Sequence, residues 1–164
     1  MFGRKKKKRD DSYADDELPL LMEKLFKTTE DFRVNMGLLE KLAGRYPRPI
    51  FEGVKNPEEF DCRRKSLYYS IMGAPEKSME YADKGLEINP RSAYLLYMRG
   101  RAKGDTNRFE EGIEDLSVAL KLKPSFADAL VERGYIKQKI GDTKGAEEDY
   151  KKAREIDPSV VLPE

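Results

Sequence analysis

Apolar residues recur along most of this chain at the three- and four-residue spacing of an amphipathic helix, and the strict alternation of a strand is absent. From residue 59 onward the helical stretches come in pairs. "FDCRRKSLYYSI", "AYLLYMRGRAK" and "ADALVERGYIKQKI" each read as a first helix, and "PEKSMEYADKGLEI", "RFEEGIEDLSVALKL" and "KGAEEDYKKAREI" as its partner. The breaks within a pair, "MGAP", "GDTN" and "GDT", carry the Gly, Asp and Asn of tight turns. Loops this short force the two helices antiparallel.

The pairs also repeat. Pro90, Pro124 and Pro158 stand 34 residues apart, and "PRSAYLLYMRG" aligns with "PSFADALVERG". A fixed period of this size marks a stacked array of helix pairs. Small residues fall in register where two helices would cross: Ser66, Gly100 and Gly134 in the first helices, and Ser78, Gly112 and Ala146 in the second. A larger side chain there would hold the backbones apart. Gly85, Ala119 and Ala153 recur later in the second helix, with Ala82, Leu116 and Tyr150 at the large seam position, for which Ala82 is undersized.

With these residues the chain resembles the tetratricopeptide repeat family over residues 59–160. The resemblance implies an all-α, right-handed superhelical array of antiparallel helix pairs, with repeats at 59–92, 93–126 and 127–160. Residues 18–58 are expected to hold a helical pair or degenerate repeat and a connecting loop. Leu18, Leu21, Leu25, Phe26, Phe32, Met36, Leu39 and Leu42 supply its apolar positions, and two capping helices outside the register are the alternative. Residues 1–17 read as a disordered basic-then-acidic tail and 161–164 as a short C-terminal tail. At the far end, Glu147, Lys152 and Arg154 stand where Ile113, Val118 and Leu120 stand one unit earlier, which predicts a charged terminal face.

The resemblance further implies a concave groove lined by the first helices. Its groove offsets fall on Phe60, Arg63, Arg64 and Leu67, then Tyr94, Tyr97, Met98 and Arg101, then Asp128, Val131, Glu132 and Tyr135. Tyrosine and arginine are frequent binding anchors, and the guanidiniums could pair with carboxylates of an incoming peptide. Family members that hold acidic chaperone tails use a cationic clamp at set groove positions. Here those positions carry Arg63, Leu67, Met98, Asp128 and Glu132, so a chaperone tail is not expected.

Charge alters the picture only locally. Lys+Arg (32) nearly cancels Asp+Glu (31), so no bulk electrostatic preference exists, but Arg4, Lys5, Lys6, Lys7, Lys8 and Arg9 form an unbroken basic run ahead of an acidic patch. A solvated tail is one reading. The other is an electrostatic docking protein whose tail meets anionic membrane or nucleic acid. Gly3 is one place late for a myristoylation signal.

Catalysis finds little support. The chain has no histidine, hence no general base of the commonest kind. Cys62 is its single cysteine, with no base beside it, and reads as a small buried hydrophobe. Carboxylates lie in mixed-sign runs such as "EEDYKKARE", which read as a solvent face. The expectation is a non-catalytic interaction scaffold or adaptor that binds a protein or peptide partner. No cofactor or metal is expected. The lone thiol and the lack of a long apolar run suit the cytoplasm.

Overall fold

The structure, a computed structural model, describes residue 54 and residues 57–163. All of them belong to the second of two units into which the chain divides, Arg48–Glu164. The basic run at 4–9 and the expected helical pair at 18–47 lie outside the described residues.

Six helices follow one another: α1 Pro57–Ile71, α2 Pro75–Ile88, α3 Ala93–Asp105, α4 Phe109–Leu122, α5 Ala127–Lys139 and α6 Thr143–Ile156. No strand occurs among the described residues. Consecutive helices pack as antiparallel pairs, α1 with α2, α3 with α4 and α5 with α6. Each second helix also packs on the next unit's first helix, and the first helices touch one another along one side.

The turns reuse one backbone device. Gly73, Asn107 and Gly141 occupy equivalent places 34 residues apart and take φ of 67°, 59° and 86°. Glycine reaches this left-handed region without strain, and asparagine is among the few other residues that tolerate it. Ser92 and Asp142 cap α3 and α6, accepting hydrogen bonds from the Leu95 and Gly145 amides.

The small residues sit at the crossings as their spacing predicts. A Cβ on Gly100 would meet Leu116 at 2.8 Å and the Gly112 carbonyl oxygen at 2.9 Å. A Cβ on Gly134 would meet the Tyr150 ring at 2.6 Å. In the first unit two serines fill the same crossing. The Ser66 hydroxyl donates to the Ser78 carbonyl and the Ser78 hydroxyl to the Ser66 carbonyl, each at 2.9 Å. A hydroxyl is tolerated there because both polar groups find backbone partners. Ala82, undersized or not, is fully buried, as are Leu116, Ala119 and Ala153. Cys62 is buried, and burial pushes its thiol pKa up.

The solvent-face reading of "EEDYKKARE" needs correction. Asp149 is buried at 2% exposure and is gripped by two cations. Arg133 donates to its carboxylate through Nε at 2.8 Å and Nη2 at 2.6 Å, and Lys137 stands 2.8 Å away. One unit earlier Asp115 holds Arg99 and Lys103 in the same way. The matching positions of the first unit are Lys65, Tyr69 and Tyr81. There the tyrosine rings stack at 5.4 Å, and the Lys65 ammonium lies 5.3 Å from the Tyr81 ring. An aromatic and cation–π contact thus replaces the ion triad.

On the terminal face, Glu147, Lys152 and Arg154 are exposed, whereas Leu120 is buried and Ile113 half-buried. Val118 departs from its expected contact and is exposed. No helix among the described residues is long and apolar enough to cross a membrane.

Candidate functional site

The first helices α1, α3 and α5 carry the predicted groove positions, and the structure divides those positions into two groups. Phe60, Leu67, Tyr94, Tyr97 and Met98 are buried, and the Arg63 and Arg64 side chains with them. Arg101, Asp128, Val131, Glu132 and Tyr135 remain half-exposed.

The buried group is held by internal contacts. Arg63 donates to Glu59 through Nη2 at 2.6 Å and Nε at 3.0 Å, and to the Ser92 hydroxyl at 2.9 Å, which ties α1 to the N-terminus of α3. Its guanidinium also lies 5.6 Å from the Tyr94 ring centroid. Arg64 pairs with Asp61. Tyr97 packs between Tyr94 and Phe126, with ring centroids 6.2 Å and 4.9 Å away. Burial pushes the Tyr94 and Tyr97 phenols well above their ordinary pKa. The expected roles of Arg63 and Arg64 as partners for a peptide carboxylate, and of Tyr94 and Tyr97 as open anchors, are therefore displaced by packing. Helical offset alone could not separate a wall residue from a seam residue.

The half-exposed group spans α3 and α5. Arg101 stands 3.9 Å from Glu132 and also interacts with Tyr97. Burial raises the carboxyl pKa of Glu132 and of Asp128, and the Arg101 charge opposes the rise at each. Tyr135 lies on α5 with the Lys139 ammonium 4.9 Å from its ring centroid. Among the described residues no cluster of acidic or cysteine side chains is arranged to hold a metal ion. Nor is a nucleophile paired with a base: Cys62 is buried with its pKa raised.

A family model described as tetratricopeptide repeat matches residues 93–126 and 127–160, the boundaries that the proline period predicts. These two units are tetratricopeptide repeats. The unit at 59–92 shares the helix pairing and crossing of the two matched repeats, with Ser66 and Ser78 in place of their smaller crossing residues.

Relatives confirm the architecture. RNA polymerase II-associated protein 3 of Xenopus tropicalis is 27% identical over 95 residues, 58% of this chain and 14% of that protein. The chain thus spans about a seventh of the length of the first curated relatives it matches. Among solved structures, the second tetratricopeptide domain of Spaghetti (RPAP3), bound to the HSP90 peptide SRMEEVD, superposes with a TM-score of 0.58 at 20% identity, covering 61% of this chain and 93% of that one. The TPR2B domain of yeast Sti1, in a complex with pHsp70, gives 0.60 at 19% identity, covering 64% and 84%. These likenesses share the fold of the repeat array. They give no support to the expectation that a chaperone tail is excluded, because both of these relatives are named with a chaperone ligand.

Proposed function

We propose that this protein is a non-catalytic interaction scaffold that takes a peptide segment of a partner protein along the face formed by its first helices. The observation that carries the reading is the half-exposed strip of Arg101, Asp128, Val131, Glu132 and Tyr135, which mixes charge, an aliphatic surface and an aromatic ring across two adjacent repeats. Such a strip offers an anchor and polar specificity over an extended surface, as peptide recognition requires. Relatives of the same fold that carry chaperone peptides support a protein partner. The charges at the clamp positions favour a different peptide chemistry.

The test is capture of partners on the immobilised full chain beside a Val131→Glu/Tyr135→Ala form. A partner retained by the first and lost by the second, with helicity unchanged, supports the scaffold. Equal retention by both would place binding elsewhere. No observation on the described residues favours docking through the Arg4–Arg9 run.

A further inference from the structure

The two junctions between repeats are built alike but not fastened alike. At the first, Arg99 of α3 donates to Asp83 of α2 at 2.8 Å, an ion pair that crosses the unit boundary. Arg63 of α1 donates to the hydroxyl of Ser92, the N-cap of α3. At the second junction the residue 34 positions on from Asp83 is Ser117, and Arg133 of α5 donates to its neutral hydroxyl at 3.1 Å. The place of Arg63 is taken by Tyr97, whose ring meets Phe126 at the start of α5, an apolar contact at 4.9 Å between centroids. Arg101 and Glu132 also face each other across this junction, but at 3.9 Å.

Packing follows the same order. α4 packs less extensively on α5 than α2 does on α3, and α3 meets α5 less than α1 meets α3. Val118, beside Ser117 on α4, has an offset that points to the following unit and yet is 37% exposed. Inside the third unit nothing is loosened. α5 and α6 pair about as closely as α3 and α4, and Arg133 and Lys137 of α5 grip Asp149 of α6. A body that is firmly held within and more weakly held to its neighbour opens as one cooperative unit.

We infer that the junction between the second and third units is the yielding one of this array, at which α5 and α6 open together while α1 to α4 stay assembled. The half-exposed strip crosses this junction, with Arg101 on α3 and Asp128, Val131, Glu132 and Tyr135 on α5. The strip is therefore complete only in the closed form, and a segment that touches both helices would hold the array closed. The inference does not depend on the strip being the binding site.

The experiment is hydrogen exchange of the full chain at neutral pH, read by mass spectrometry. Amides of α5 and α6 are expected to share one level of protection, at least about tenfold below that of α3 and α4. A unit packed on one side only also frays more readily, so the test alters the junction itself. Ser117→Asp gives Arg133 the carboxylate that Arg99 already has. Ser117→Asn adds a side chain of the same shape without the charge. The Asp form should protect α5 and α6 about threefold better than the Asn form, the size expected of an ion pair this exposed. Asp83→Ser, the reverse exchange at the first junction, should lower the protection of α1 and α2 by about threefold and leave α5 and α6 unchanged.

Equal protection of α3–α4 and α5–α6 would overturn the inference. So would exchange confined to the last turn of α6, or a Ser117→Asp form that exchanges as Ser117→Asn does.

Discussion

Arg99 reaches across from α3 to α4 and grips Asp115 with two parallel hydrogen bonds, Nε to Oδ2 and Nη2 to Oδ1, both 2.7 Å long. Its remaining nitrogen donates to Asp83 of the preceding unit at 2.8 Å. Arg133 repeats the arrangement with Asp149 and with Ser117 of its own preceding unit. One guanidinium thus fastens the two helices of a repeat and that repeat to its neighbour.

Removing the acid should therefore cost more than an exposed ion pair would. Asp115→Ala leaves Arg99 and Lys103 facing each other at a largely enclosed site. Loss of about 2–3 kcal/mol is expected, well above the ~0–1 of a surface pair. Urea unfolding of the variant beside Glu110→Ala checks it.

Asp149 makes the same grip visible in pH. Burial pushes its carboxyl up, but hydrogen bonds from Arg133 and Lys137 more than offset this, and its pKa lies below the ordinary 3.8. A depressed folded-state pKa gives stability that is fully present above the unfolded value and lost as pH falls through the folded one. The wild type should lose this contribution progressively below about pH 4. Asp149→Asn should be less stable at neutral pH, with the gap closing in acid. Thermal melts of both forms between neutral pH and about pH 3 give the comparison. A gap that widens in acid would contradict the assignment.

The helix crossings should respond to single methyl groups. Gly100→Ala puts a Cβ within 3 Å of both Leu116 and the Gly112 carbonyl, where backbone as well as side chain must shift. Destabilisation of about 1–3 kcal/mol is expected. Gly73→Ala, whose Cβ would meet nothing within 4 Å, should cost about 1 kcal/mol through its left-handed φ alone. Asn107→Gly, at the equivalent turn, should be close to neutral. Denaturant midpoints of the three variants rank these effects.

How much of this was readable in the chain varies from residue to residue. The proline period and the small residues at 66, 100 and 134 located the repeats because backbone approach admits few side chains. The ion triads were equally periodic, Arg99 with Arg133, Lys103 with Lys137 and Asp115 with Asp149. They escaped notice because a charged run gives no sign of which carboxylate points inward. At the candidate site the sequence named the right helices. It could not tell that Tyr94, Tyr97 and Met98 would be spent on packing, since burial depends on how the first helices lean together.

The central claim is that partners bind on the face of the first helices. The most direct measurement is site-specific photo-crosslinking on the full chain, with the reactive amino acid placed at half-exposed Val131 on α5 or at exposed Glu148 on α6. The account predicts that one partner is captured through position 131 and not through 148, at a peptide segment that mass spectrometry can map. Capture of the same partner through 148 alone, or equally through both, would contradict it.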